Sequence, residues 1–172
     1  MVLTKSELIE SLQKEVRILL HLASKVDRAA LDYRPAPKQR STLELLQYLS
    51  IMGPMLVRTA TSASGTFDRD AWTAVQATAA SRDFDQTVAA ISAQSDEYAK
   101  LLTDVPDADL RGEMNGFDGR KTTRGAFIVN LVLCGFAAYR TQLFLYLKAG
   151  GRDELSTYNL WAGVDAPAPA AT

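Results

Sequence analysis

The side chains that most often carry chemistry are scarce in this chain, which holds one histidine, His21, and one cysteine, Cys134. A single imidazole and a single thiol cannot build a zinc site, which takes four protein donors when structural and three plus water when catalytic. Cys134 has no histidine near it in sequence to draw off its proton, so a buried structural thiol is expected rather than a nucleophile. His21 interrupts an apolar-periodic stretch, where a lone imidazole packs or faces solvent. No Gly-rich phosphate loop, G-x-S-x-G elbow or H-E-x-x-H pair occurs, which leaves phosphate-loop, serine-hydrolase and zincin chemistry without support. What remains are phenols and polar neighbours at helical spacing. Glu44 precedes Tyr48 by one turn, and Gly135, Tyr139 and Gln142 share a face with Arg140 beside them. A buried Arg140 or Gln142 would need hydrogen-bond partners, so both are candidates to line a pocket. Glu44 also completes a capping box, which accounts for it without any site.

These residues must be placed by helices. Thr4 to Glu7 is a T-x-x-E capping box, and Leu8, Leu12, Val16, Leu19 and Ala23 follow it in steps of three or four, which predicts a first helix to about Ala29. Pro35 and Pro37 make 31–40 an ordered loop. A second capping box, Ser41 to Glu44, opens the stripe Leu45, Leu46, Leu49, Met52 and Leu56; Gly53 and Pro54 inside it predict a kink or an early end, with resumption to about Ala60. The Ser-, Thr- and Ala-rich segment 61–82 is expected to hold at most a short helix around Trp72 and Val75. Asp83 or Asp85 caps a third long helix through Phe84, Val88, Ile91, Ser95, Tyr98 and Leu102, ending before Pro106. The glycine-containing segment 107–121 reads as a loop with a short extended pair around Met114 and Phe117. Thr122 or Thr123 caps the last helix, whose Phe127, Leu131, Gly135, Ala138, Gln142 and Leu145 share one face, and Gly150 with Gly151 ends it. Trp161 is expected to dock the following tail. Four amphipathic helices with two longer crossovers predict an all-α four-helix bundle over 1–165, with 166–172 a flexible C-terminal tail.

At 172 residues the chain fits one domain of ordinary size, and 47% hydrophobic with 23% charged residues is the usage of soluble globular proteins. Nineteen basic against 20 acidic residues leave a formal charge of −1, with no field to hold a polyanion, so nucleic acid is not an expected partner. A single cysteine fits a reducing compartment, and a cytoplasmic location is expected. The first ten residues lack the apolar run of a signal peptide. The most apolar stretch, 126–138, contains Asn130 and falls short of the ~20 residues of a membrane span. Apolar residues outside the main stripes, Ile9, Leu20 and Ile51, suit a homodimer.

The run Leu31-Asp32-Tyr33-Arg34-Pro35, then Ser41-Thr42-Leu43-Glu44-Leu45-Leu46-Gln47-Tyr48-Leu49, then Tyr139-Arg140-Thr141-Gln142-Leu143 with Gly150-Gly151, resembles the DinB/YfiT-like superfamily. The closing Asn159-Leu160-Trp161-Ala162-Gly163 is similar to the tail of many members. The resemblance implies a four-helix bundle in which three histidines, one in the second helix and two in an H-x-x-x-H-R motif of the last, hold a divalent ion with an open position. Aligned on those motifs, the three positions here are Tyr48, Gly135 and Tyr139. None supplies an imidazole, so the resemblance carries no metal and no cofactor to this chain. Two phenols and a glycine in place of three imidazoles keep the volume in rough balance, with Tyr48 expected to lean over Gly135.

The function expected is that of a metal-free DinB-like helical bundle, a small-molecule-binding or interaction protein, working as a homodimer. An enzyme remains the alternative: a thiol-dependent S-transferase-like protein using Tyr48, Tyr139 and Arg140 to polarise its substrate without metal. A third reading keeps a metal through unfamiliar ligands such as Glu44. The pocket candidates common to these readings are Tyr48, Gly135, Tyr139, Arg140, Gln142 and Glu44.

Overall fold

A computed structural model describes residues 3–167. Three long helices open on capping boxes in which side chain and backbone satisfy each other: Thr4 with Glu7 for α1 (Lys5–Ala23), Ser41 with Glu44 for α2 (Thr42–Thr61), and Asp83 with Gln86 for α4 (Phe84–Leu102). Between α2 and α4 stands α3 (Arg69–Ala80), capped by the Asp68 carboxylate on the Ala71 amide. It is a full three turns, longer than the short helix expected around Trp72. A single-turn α5 (Asp107–Leu110) leads into an antiparallel pair, β1 (Glu113–Asn115) and β2 (Lys121–Thr123), with Met114 opposite Thr122. Met114 is buried, whereas Phe117 lies in the connecting turn, 62% exposed. The last helix, α6, runs Arg124–Ala149 from a Thr123 cap to the left-handed Gly151.

The sequence pattern and the structure part at three places along the helices. The first helix stops at Ala23, not near Ala29: the amides of Lys25 and Val26 reach back only three residues, and the Asp27 carboxylate caps a new 3₁₀ turn over Arg28–Ala30. A local carboxylate acceptor here outcompetes continuation of the α ladder. The second helix does not end early; it runs through Gly53 and Pro54 to Thr61. Gly53 is where three helices meet. A Cβ there would sit 1.9 Å from Tyr98 Oη and 2.8 Å from Phe136 Cε2, so only glycine admits α4 and α6 this close. That packing offsets the hydrogen bond that Pro54 removes.

The third difference is in α6. The expected face of Phe127, Leu131, Gly135, Ala138, Gln142 and Leu145 is mostly not the buried one; the core takes Phe127, Ile128, Val132, Phe136, Arg140, Leu143 and Leu147. Beyond Phe127 the buried set is displaced by one position. The cause is a stretch of π-helix over Ile128–Leu133, where the Cys134 amide bonds to the Val129 carbonyl five residues back, so one extra residue enters the turn. By length and composition, with mean hydropathy 1.4, α6 is apolar enough to cross a membrane. In this fold its buried stripe faces α1 and α2.

The four long helices pack in the cyclic order α1, α4, α2, α6 around one core, with α3 laid on α2. Inside it the Gln94 carboxamide donates to the Leu49 carbonyl (2.8 Å) and accepts from the Tyr98 hydroxyl (3.0 Å), so the buried phenol is satisfied. Ile51 is buried in the monomer, and so is not free for a twin, while Ile9 and Leu20 are half-buried. Trp161 is 58% exposed and meets the bundle through the Arg140 guanidinium, so it docks the tail by one face only. The tail is also held by buried Asn159, by Arg140 donating to the Leu160 carbonyl, and by Gly163, whose missing Cβ would lie 2.9 Å from Ile18 Cα. The flexible tail expected over 166–172 falls, from residue 168 onward, outside the described residues.

Candidate functional site

Tyr48 projects from α2 two turns beyond its Ser41 cap, and Gly135 and Tyr139 from α6 just after the π-helical stretch. All three line one cleft of about 420 Å³. Helix α2 adds Met52 and Leu56, α6 adds Asn130, Leu131 and Cys134, and the remaining wall comes from Phe67, Trp72 and Phe117. These rings form a continuous arc. Tyr139 meets Tyr48 edge to face at 5.1 Å between centroids, Tyr48 meets Trp72 at 6.0 Å, Trp72 meets Phe67 at 5.8 Å, and Phe67 meets Phe117 at 5.3 Å. Edge-to-face contacts put the positive rim of one ring on the negative face of the next, which holds such an arc in shape.

The expected lean of Tyr48 over Gly135 is replaced by another side chain. The Met52 thioether fills that space, with its terminal carbon and sulfur 3.3 and 3.4 Å from where a Gly135 Cβ would be. Unbranched and polarisable, methionine suits an irregular gap between aromatic rings. Cys134, expected to be buried, is exposed and lines the cleft. The wide turn before it carries the thiol out of the core.

Burial, then a hydrogen bond with Tyr139, pushes the Tyr48 phenol up to about 12, although the Arg40 guanidinium stacked 3.9 Å over its ring pulls the other way. Tyr48 is therefore a neutral hydroxyl at physiological pH. Glu44 does not enter this cleft; its carboxylate caps Ser41, pairs with Arg34 at 3.3 Å, and borders a smaller neighbouring hollow of about 210 Å³ beside Arg40 and Gln76. The backbone amide of Ser41 is the main reason its pKa is lowered.

Arg140 and Gln142 also lie elsewhere. Arg140 is buried at the α1 face, its Nε 3.0 Å from Glu15 Oε2, and its guanidinium lies 4.8 Å from the Trp161 ring. Gln142 donates to the Tyr146 hydroxyl, which donates to the Arg40 carbonyl at 3.0 Å. His21 lines neither hollow, its Nε2 3.0 Å from the Asn159 carboxamide and 3.5 Å from Asp165.

Sequence reasoning missed Asn130, Met52, Trp72, Phe67 and Phe117 as cleft residues, and Glu15 as the partner of Arg140. A signal existed for Glu15. It occupies the step between Leu12 and Leu19 on the apolar stripe of α1, where a carboxylate requires a partner.

Among the described residues no three His, Cys, Asp or Glu side chains gather to hold a metal ion. The cleft offers neutral phenol, amide, thioether and one thiol, so the three-imidazole centre of the DinB/YfiT-like superfamily does not fit the residues present here.

No family model matches the sequence, and no curated protein matches it. The crystal structure of a DinB-like protein from Bacillus subtilis, YjoA, is similar to this chain with a TM-score of 0.66, covering 88% of this chain and 96% of that one at 18% identity. Likeness at that identity speaks for the fold alone. The helix order, the packing and this structural match together make the chain a helical protein of DinB-like fold.

Proposed function

We propose that this chain is a metal-free four-helix bundle of DinB-like type, with a degenerate metal site, that binds a small molecule in the cleft between α2, α3 and α6. The observation carrying this reading is that Tyr48, Gly135 and Tyr139, the positions matched to the family's ligands, line a 420 Å³ cleft walled by aromatic rings. That volume is within the range of small-molecule sites, which are mostly apolar with a few placed polar groups. The transferase alternative receives less support. Arg140 is committed to Glu15 and the Leu160 carbonyl, and Tyr48, near 12, has no tendency to give up its proton to a substrate. The homodimer belongs to the same proposal. From Gly125 to Tyr139 α6 carries no charged residue, and less than a third of its most apolar window is buried in the monomer.

The test is a fragment screen read by amide and indole NMR shifts of the isotopically labelled protein. Compounds that move Trp72, Asn130 and Gly135 together support the reading, and a screen in which none does so overturns it. Light scattering at micromolar concentration reads the oligomer, and a monomer mass sinks that part.

A further inference from the structure

The cleft has a chemical character of its own. Arg40 stacks on Tyr48 from outside it, and no charged side chain is among its lining residues. An anionic or cationic ligand would lose its hydration there without gaining a counter-charge. The aromatic arc borders the space together with Met52, which packs against Gly135, a surface that favours flat, polarisable partners over aliphatic ones. One polar side chain stands ready. Asn130 is exposed and borders this cleft as well as two neighbouring hollows, and its carboxamide makes no hydrogen bond among the described residues. It is placed there by the π-helical stretch Ile128–Leu133, and such irregular turns concentrate at functional sites.

We infer that the cleft takes an uncharged, planar aromatic molecule bearing one hydrogen-bonding substituent, with its ring stacked within the Tyr139–Tyr48–Trp72–Phe67 arc and its substituent paired to the Asn130 carboxamide. This rests on the reading of the cleft as a small-molecule site. A carboxamide both donates and accepts, so a phenolic hydroxyl or a ring carbonyl is a suitable substituent.

The experiment uses four probes on the full chain: 2-naphthol, naphthalene, 2-naphthalenesulfonate and decahydro-2-naphthol, titrated by calorimetry and by the NMR shifts of the Trp72 indole and the Asn130 carboxamide. Expected is binding of 2-naphthol at sub-millimolar Kd, with the sulfonate and the saturated alcohol each at least about tenfold weaker. Asn130→Leu should weaken 2-naphthol about tenfold and leave naphthalene unchanged, which separates loss of the hydrogen bond from loss of the cleft. Gly135→Leu, whose side chain would displace the flexible Met52 thioether at the α6 wall toward the cleft, should abolish binding of both while the helical dichroism is kept. If the sulfonate or the saturated alcohol binds as well as 2-naphthol and moves the same signals, the ligand class is wrong while the small-molecule reading stands. If no probe moves Trp72 or Asn130, the aromatic inference falls, and the broader fragment screen decides the reading beneath it. An Asn130→Leu variant that binds 2-naphthol as the wild type does removes the carboxamide from the proposal and overturns it.

Discussion

Arg140 Nε lies 3.0 Å from Glu15 Oε2 across the α1–α6 interface, with the two side chains 4% and 13% exposed, yet neither of these atoms finds a well-aligned hydrogen bond. The pair is close without being well made, a geometry in which desolvation offsets much of the attraction. Removing one partner leaves a buried charge alone. Arg140→Met or Glu15→Leu alone should cost about 3–5 kcal/mol in urea unfolding, and the double substitution should recover most of that. Additive losses in the double variant would refute the coupling.

Two groups should tilt stability with pH in opposite senses. Burial holds the Glu15 carboxyl above its ordinary 4.5, more than Arg140 lowers it, so the folded state binds its proton more tightly than the unfolded chain. Its contribution is full below 4.5 and is lost as pH rises through the raised value. Burial of the His21 ring, which outweighs the opposing Asp165 charge, lowers its pKa below 6.5, so its contribution is present above 6.5 and is lost as pH falls. Difference curves of melting temperature against pH, wild type minus Glu15→Gln and wild type minus His21→Gln, should slope down and up respectively with rising pH. A flat pair of curves contradicts both assignments.

Gly53→Ala replaces glycine with the best helix former and should still destabilise, by about 1–3 kcal/mol, because the new methyl would overlap Tyr98 Oη. Tyr98→Phe removes the atom closest to it. In the Tyr98→Phe background the cost of Gly53→Ala should therefore shrink, as read in a double-mutant cycle of denaturant midpoints. The Phe136 ring at 2.8 Å keeps it from vanishing.

Tyr139→Phe keeps the ring against Tyr48 and deletes the hydroxyl bonded to it. The Tyr48 phenol should then ionise below its value of about 12, while burial still holds it above 10. Ultraviolet titration of phenolate absorbance reads this directly, and an unmoved midpoint would deny the bond. Tyr139→Ala should cost about 2 kcal/mol, less than a fully buried aromatic, since the ring already borders the open cleft.

What the sequence disclosed follows from which interactions are local. The capping boxes at Thr4 and Ser41, the aspartate cap at Asp83 or Asp85, and the apolar stripes behind them are written within a few residues, and the helices begin there, the third at Asp83. The ends and phases are tertiary. Gly53 and Pro54 read as a break because the sequence does not show Tyr98 and Phe136 closing on that point from two other helices. The resemblance to the DinB/YfiT-like superfamily set Tyr48, Gly135 and Tyr139 side by side, but Trp72 and Phe67 joined them from a segment whose composition announced little. Cys134 and Arg140 were placed on an ideal helix of 3.6 residues per turn, and the wide turn before them changed which one faces the core.

That wide turn divides α6 into two threads cut to different starting points. Residues before Ile128 and after Leu133 each keep ordinary helical pitch, but their angular origins differ by about 100°, the rotation of one residue. A one-residue deletion within it would close the wide turn into a regular helix and keep the downstream residues on their present faces relative to the Thr123 anchor, because the residue removed is the one the turn accommodates. Arg140 would still face Glu15, while the stretch of cleft wall that carries Asn130 and leads into Cys134 would lose its extra residue and its outward turn. Insertion and deletion, more than substitution, are thus the changes by which descendants of this chain would gain or lose the shape of their cleft.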